Sequence, residues 1–213
     1  MTTRTRTRKS AKDRKAEIVD AAIALAGDIG PDRLTTERLA AKVGISQPGI
    51  FRHFPTKGAI WEAVAKRIGG LLQTRIGPGI DRTAEPAAQL RQMVIAHLNF
   101  IQTTPAIPAI LFSRELHAGN EKLRAFFAGL IASRQKRFSS LIAAEIASGR
   151  FDAALDPDDA ANLVLGLIQG LAMRWSLNAR RFDLVAEGRR LIELQLNGFR
   201  PKRTQTSDGD IPT

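Results

Sequence analysis

Residues 35–57 read TTERLAAKVGISQPGIFRHFPTK, and this stretch decides the fold of the chain. The pattern predicts two short helices with a sharp turn between them, followed by the start of a third helix. Thr35 and Ser46 can cap the two helices, because their hydroxyl groups accept the free N–H groups of a first turn. Gly44 stands at the turn, where a left-handed backbone costs glycine least. Pro48 falls in an opening turn, where its missing N–H breaks no hydrogen bond.

This layout is typical of a helix-turn-helix, in which the second helix enters the major groove of DNA. Ile50 and Phe54 lie one turn apart and would face inward. An ordinary helical hairpin, whose small and apolar residues only pack, explains the turn equally well, so the flanking residues have to decide. The residues left on or near the outward surface and the helix start are Gln47, Pro48, Gly49, Phe51, Arg52 and His53.

The flanking residues resemble the tetracycline-repressor (TetR) family of bacterial transcription regulators. The resemblance is specific over about residues 12–66 and is carried by the TTERLA start, the Ala40-x-x-x-Gly44 turn, Ile45-Ser46, the F-x-H-F run and Lys57. It implies that the first three helices bind DNA, that later helices hold a small molecule, and that the last two form a dimeric four-helix bundle.

The same resemblance assigns roles on the DNA. Glu37 stands where the family is often basic, so Arg38 is the candidate contact from that helix instead. Phe51 stands where Tyr is common, which leaves apolar contact without a phenolic hydrogen bond. The implied contacts are Thr35 and Thr36 at the front of the unit, Gln47, Pro48, Gly49 and Phe51 towards the bases, and Arg52, His53 and Lys57 at phosphates.

Composition favours an all-α fold, because Ala and Leu are abundant, Tyr is absent and β-branched runs are few. Apolar spacing predicts about nine helices and no strand. The resemblance implies that they divide into an N-terminal three-helix DNA-binding domain with the helix-turn-helix and a C-terminal helical ligand-binding and dimerisation domain. The expected divisions are a disordered basic arm at 1–11, the DNA-binding domain at 12–57, the effector-binding and dimerisation domain at 58–200, and a disordered tail at 201–213.

The positive charge is concentrated near the N-terminus. The chain has a net charge of +11, and residues 1–57 carry twelve Lys or Arg against six Asp or Glu. A basic patch beside a helix-turn-helix indicates phosphate binding. The arm at residues 2–9 alternates Thr with Arg, and either it lies in the minor groove of DNA or it serves as a solubilising tail.

Several classes of function are disfavoured. The chain has no Cys, which excludes disulfides, thiolate catalysis and Cys-ligated zinc and suits a reducing cytosol. Its three histidines, at positions 53, 97 and 117, are too scattered for a metal motif, and no catalytic motif is present. We therefore expect no enzyme, no cofactor and no metal. The absence of a long apolar run argues against a membrane partner, and the expected location is the bacterial cytoplasm.

An effector pocket is expected in the second domain, with an apolar lining and a few polar groups. Each candidate residue also fits plain core packing. The candidates are Trp61, Met93, His97, Phe100, Ile107, Leu111, Phe112, Phe127, Arg134 and Trp175. They favour a mostly apolar or aromatic small molecule, whose identity the sequence does not give.

A homodimer is expected because the helix at 157–178 is apolar on nearly every side and must be covered. Two helix-turn-helix units about one DNA turn apart would read a near-palindromic double-stranded operator. The predicted interface residues are Leu163, Gly166, Leu167, Gly170, Leu171, Leu191 and Ile192.

These features predict a ligand-responsive DNA-binding transcriptional regulator, a repressor released from its operator by the effector. The alternative is an architectural, nucleoid-type DNA-binding protein without an effector. About 140 residues beyond the DNA-binding unit favour the regulator, since DNA binding alone does not require them.

Overall fold

The computed structural model describes residues 10–202, and within this range the chain is all-helical, as predicted. The basic arm and nearly all of the polar tail lie outside the described residues. A short 3₁₀ turn at Gly77–Gly79 follows the fourth helix. The ten α-helices are α1 (Ala11–Ile29), α2 (Thr36–Val43), α3 (Gln47–His53), α4 (Lys57–Ile76), α5 (Pro86–Thr103), α6 (Ala106–Leu111), α7 (Arg114–Ala118), α8 (Glu121–Ala147), α9 (Pro157–Leu177) and α10 (Leu184–Gly198).

Helix starts follow the capping residues of the sequence. Ser10 accepts a 3.1 Å hydrogen bond from the backbone N–H of Asp13, so Ser10 caps α1 and the helix already begins at Ala11, within the range predicted as a disordered arm. Thr35 caps α2 and Ser46 caps α3, each through its hydroxyl group. Gly44 has φ 71° and ψ 39°, the left-handed conformation that the sharp turn requires. The predicted helix-turn-helix is therefore present.

The helix-turn-helix rests on α1. Ile18 and Ala22 on α1 pack with Leu39 on α2 and Ile50 on α3, and all four side chains are fully buried. Because α1 also packs along α4, the DNA-binding helices and the connecting helix form one block.

The remaining helices form a second block around α5. Helix α8 packs against α9 and α5, while α10 packs against α5 and α9. Gly188 allows the approach of α10 to α5, because a Cβ atom built on it would lie 2.0 Å from Cδ1 of Leu98. Gly69 allows a similar approach of α4 to Phe126 on α8. These close approaches hold α10 against α5 and α4 against α8.

The structure has ten helices in residues 10–202 rather than about nine. Ser113 begins a separate short helix, α7, by accepting from the N–H of Leu116, and it also donates to the carboxylate of Asp32. Helix α5 begins only at Pro86, because Thr83 closes a turn on Asp81 by donating to its carboxylate. In the described part of the chain, no helix combines the length and apolar character needed to cross a membrane.

Candidate DNA interface and effector cavity

The outer surface of α3 carries the predicted base-facing residues, with one exception. Pro48, Phe51 and Arg52 are exposed, and Phe51 leaves 42% of its surface in solvent. Gly49 is buried against Ile45 and Ser46, and its N–H donates to the capping hydroxyl of Ser46. Its prediction as a base-facing residue is therefore wrong for a geometric reason, since it lies on the inner side of the first turn.

The side chain of Gln47 is held by hydrogen bonds to the first two residues of α2. Its side-chain amide donates to the hydroxyl of Thr36 at 2.9 Å and also to the carboxylate of Glu37. The backbone N–H of Glu37 and the hydroxyls of Thr35 and Thr36 lower the pKa of this carboxyl group below its ordinary value of 4.5. A charged carboxylate thus orients Gln47, and it places a negative charge among groups expected to approach DNA.

The cationic residues predicted to contact DNA lie near helix ends. Arg38 donates to the carbonyl of Arg33 at 3.1 Å, and this bond holds its guanidinium beside the start of α2. Arg52 and Lys57 are exposed and pair with no carboxylate of residues 10–202. His53 is partly exposed at the last residue of α3. Exposed cations at the ends of two helices can neutralise phosphates without reading bases.

A cavity of about 80 Å³ lies between α4 of the first block and α5, α6, α8 and α9 of the second. This volume is several times the roughly 10–15 Å³ that one water requires, and the lining is almost wholly apolar. Of the ten predicted pocket residues, seven line it: His97, Phe100, Ile107, Leu111, Phe112, Phe127 and Arg134.

The structure places the other three predicted residues elsewhere. Trp61 and Trp175 are core residues, exposed by 2% and 4%, and the indole N–H of Trp175 donates to the carbonyl of Phe182 at 3.0 Å. Met93 lines a neighbouring surface pocket. Ten further lining residues were not predicted, among them a stripe on α9 at helical spacing. They are Ile68, Leu72, Ile101, Pro108, Leu130, Ile131, Leu165, Ile168, Gln169 and Ala172.

Two titratable side chains, His97 and Arg134, line the cavity. Nδ1 of His97 is buried and has no hydrogen-bond partner among the described residues. Burial, and to a lesser extent the charge of Arg134, lowers the pKa of His97 from 6.5 to about 3, so the imidazole is neutral at pH 7. Burial also lowers the pKa of Arg134 below its ordinary value, yet a guanidinium stays protonated in proteins.

Helix α6 connects the cavity to the DNA-binding block. Its Ile107, Pro108 and Leu111 line the cavity, while the same helix packs along α1. The contact is close at Gly27 of α1, where a Cβ atom would lie 3.4 Å from the backbone nitrogen of Ala106. A change in cavity size therefore acts on a wall that contacts the DNA-binding block.

An apolar face of α9 and α10 remains exposed. Leu163 and Leu177 on α9 leave 56% and 80% of their surfaces in solvent, and Leu194 on α10 leaves 67%. Positions 163, 166, 170, 173 and 177 alternate steps of three and four, which is the spacing of a helix–helix seam.

No group of three His, Cys, Asp or Glu side chains in residues 10–202 is arranged to hold a metal ion.

The predicted interface residues divide between this face and the core. Leu163, Gly166 and Gly170 are exposed, and Leu167 and Leu191 are partly exposed. Leu171 and Ile192 are buried inside the chain, at 4% and 0% exposure, so their assignment to a dimer interface is wrong. They face the opposite side of their helices, where α9 and α10 pack against the rest of the second block.

Two known proteins are similar to this chain in sequence. The nucleoid occlusion factor SlmA of Shewanella halifaxensis is 29% identical over 138 residues, which cover 65% of this chain and 70% of that protein. The nucleoid occlusion factor SlmA of Vibrio campbellii is 34% identical over 113 residues, which cover 53% of this chain and 58% of the relative. The second match thus spans less than two thirds of the relative's length.

Solved structures share the fold at low identity. FadR of Bacillus subtilis, in complex with stearoyl-CoA, has a TM-score of 0.70 at 20% identity, and the match covers 86% of this chain and 98% of FadR. KstR2 of Mycobacterium tuberculosis has a TM-score of 0.72 at 18% identity, with 92% and 100% covered. Two family profiles also match, that of the bacterial regulatory proteins of the tetR family over residues 18–64 and that of a tetracyclin repressor-like C-terminal domain over residues 83–176. The chain belongs to the TetR family of DNA-binding transcriptional regulators.

Proposed function

We propose that this protein is a homodimeric transcriptional repressor that leaves its operator when a small, mostly apolar molecule binds the cavity. The observation that carries this proposal is the apolar cavity of about 80 Å³, one wall of which, α6, packs against α1 of the DNA-binding block. The proposal assigns the protein no catalytic role and places it on the chromosome, in the bacterial cytoplasm.

The proposed domains follow from this division of labour. Residues 12–57 bind DNA, and residues 58–200 bind the effector and dimerise. Gln47 and Phe51 face the bases, Arg52 and Lys57 contact phosphates, and each dimer reads a near-palindromic operator. Two copies are required because one helix-turn-helix covers too few base pairs to find a site in a genome.

Release follows from linkage between the two sites. An effector that binds more tightly to a conformation poorly matched to the operator must itself bind more weakly when DNA is bound. Such coupling amounts to about 5- to 150-fold in affinity in typical cases. The structural neighbour solved with stearoyl-CoA holds a ligand with a long apolar chain, which supports a mostly apolar effector here.

A second candidate function is that of an architectural or nucleoid-type DNA-binding protein. The names of the sequence relatives, which are nucleoid occlusion factors, favour it. That function predicts DNA binding that no small molecule alters. The cavity and its contact with the DNA-binding block favour the ligand-responsive repressor.

The test is selection of bound sites from random DNA by the full-length protein, followed by titration of apolar metabolites against the selected complex. We expect one palindromic site and at least one compound that weakens its binding. Ala172→Phe fills the cavity and should block this release while operator binding persists. Ala143→Phe, at an exposed position of α8 outside the cavity, is the matched control. Equal binding of all sequences, with no compound effective, would favour the architectural function.

A further inference from the structure

The apolar cavity and the neighbouring surface pocket share part of their walls. Leu72 and Arg134 line both the cavity of about 80 Å³ and the surface pocket of about 360 Å³. Arg134 therefore lies at the junction between an apolar chamber and an opening to solvent. A ligand could place its apolar part in the chamber and its other end in the surface pocket. Such a ligand would contact this guanidinium.

The surface pocket is strongly cationic. Arg82, Arg134 and Arg137 all line it, and its lining includes no Asp or Glu. None of the three forms an ion pair with a carboxylate of residues 10–202. Arg137 donates to the amide oxygen of Gln89, which is neutral. The adjacent carboxylate of Asp81 accepts hydrogen bonds from Thr83 instead.

The charge of Arg134 is costly to leave without an anionic ligand. Its guanidinium is partly removed from water, and a partly buried, unpaired charge is unfavourable unless an opposite charge compensates it. Arg82 and Arg137 are exposed, so they stay hydrated and add positive charge at the opening. Carboxylate and phosphate groups fit the planar fork of arginine and form charge-assisted hydrogen bonds with it.

We propose that the effector of this protein is an amphipathic anion, with an apolar chain in the cavity and a carboxylate or phosphate group paired with Arg134. Arg82 and Arg137 hold the same group from the open side. This inference rests on the proposed function in taking the cavity as the effector site. It adds the charge of the ligand and the residue that recognises it.

His97 contributes a hydrogen bond and no charge. Its Nδ1 is buried and finds no hydrogen-bond partner within the described part of the chain, and the side chain lines the same chamber as Arg134. Because the imidazole is neutral at pH 7, it can bond to an oxygen of the ligand but cannot attract an anion from a distance. The preference for an anion within the cavity therefore depends on Arg134.

The test compares four probes that share an eight-carbon chain: octanoate, octyl phosphate, octanol and octylammonium. Isothermal titration of the full-length protein gives each dissociation constant. We expect the tighter of the two anions to bind at least about 10-fold more tightly than octanol, the range of one charge-assisted hydrogen bond. Octylammonium should bind more weakly than octanol. The two anions distinguish a carboxylate from a phosphate head group.

Two variants decide whether Arg134 recognises the anion. Arg134→Met keeps an unbranched apolar stem but removes the guanidinium, and it should reduce the preference for anion over alcohol to about 2-fold or less. Lys136→Met removes the same charge from an exposed position on α8, outside both pockets, and should leave the preference unchanged.

The outcomes separate this inference from the proposed function. Equal binding of octanoate, octyl phosphate and octanol would overturn the anionic ligand while leaving an apolar effector site in place. An undiminished preference in Arg134→Met would overturn the role of that residue. Failure of all four probes to bind would overturn the inference as well. The proposed function is then decided separately by release of the selected operator.

Discussion

The guanidinium of Arg180 donates a 2.6 Å hydrogen bond to the backbone carbonyl of Gly27 and so joins the turn after α9 to α1 of the DNA-binding block. The same guanidinium lies 5.9 Å from the ring centre of Trp175. Ala179 and Arg180 have φ angles of 50° and 62°, a region that non-glycine residues rarely adopt. The turn thus holds two residues in an unfavourable conformation that directs this side chain to α1.

We predict that Arg180→Gly reduces the coupling between effector and operator. The glycine accepts the positive φ but removes the bond to Gly27, so the effector should weaken operator binding by a smaller factor than in the unmodified protein. Ala179→Gly is the control, because it relaxes the same turn and keeps the bond. Operator affinity with and without effector, measured by fluorescence anisotropy, gives both factors. Equal factors in the two variants would show that this contact carries no coupling.

Gln47→Ala should relax discrimination at one base pair of each half-site, by about 1–3 kcal/mol for a lost bidentate contact. Gln47 opens α3 and its amide suits adenine, although in the free protein it is bonded to Thr36 and Glu37. The measurement is the binding-site profile selected from random DNA. An unchanged profile would remove Gln47 from the residues that read bases.

Glu37→Gln tests the charge beside Gln47. The carboxylate faces groups expected to approach phosphates, so its removal should strengthen DNA binding, most clearly at low salt. The amide of the variant can still bond to Gln47. Affinity measured across a series of salt concentrations provides the test. Weaker binding of the variant would mean that orienting Gln47 outweighs repulsion of the phosphates.

The arm at residues 2–9 remains a prediction, since it lies outside the described residues. If it lies along DNA, its deletion should lower the salt dependence of binding by up to about 0.9 per lost phosphate contact. Identical slopes of log affinity against log salt for the two proteins would leave the arm as a solubilising tail.

The stability of the second block should depend on pH through Glu145. Burial acts to raise the pKa of its carboxyl group, but hydrogen bonds from Arg150 and from the N–H of Ala87 outweigh burial and keep the pKa below 4.5. A carboxyl whose pKa is lowered on folding stabilises the protein above the unfolded pKa, and the stabilisation is lost as the pH falls through the folded value.

Glu145→Gln should therefore lower the free energy of unfolding by about 1–3 kcal/mol at pH 7, and the difference from the unmodified protein should shrink below pH 4.5. Glu85→Gln is the control, because Glu85 pairs with the same Arg150 but is exposed, and such pairs contribute only about 0–1 kcal/mol. Urea unfolding at several pH values measures both. A difference that persists unchanged at pH 3 would indicate a packing effect.

The local features of this fold were predictable from the sequence, whereas contacts between distant helices were not. Thr35, Gly44 and Ser46 act within one or two turns of the chain, so their chemistry fixes the helix-turn-helix without reference to the rest. Gly188 has no such local signature. It stands inside α10, where glycine weakens a helix, and its role becomes visible only when Leu98 of α5 lies against it.

For the same reason, only part of the cavity lining was predictable from the sequence. Helix α9 is apolar on nearly every side, so its sequence does not distinguish the face towards the cavity from the faces towards the core and solvent. Leu165, Ile168 and Ala172 were missed as lining residues, and Leu171 was assigned to the wrong face. Which apolar face is which depends on how α9 crosses α8, and that is a property of the packed structure.

Gly170→Arg should yield a folded monomer that loses most of its operator affinity. Gly170 lies on the exposed apolar face of α9, and nothing lies within 4 Å of a Cβ atom built on it, so the arginine fits the isolated chain but would lie within the proposed dimer interface. Losing the second half-site should lower operator affinity by about 10²–10⁴-fold. Gly129→Arg, at an exposed and equally open position of α8, is the matched control and should remain a dimer. Sedimentation decides the premise first, because an unmodified protein that sediments as a 23.3 kDa species at micromolar concentration would contradict the dimer.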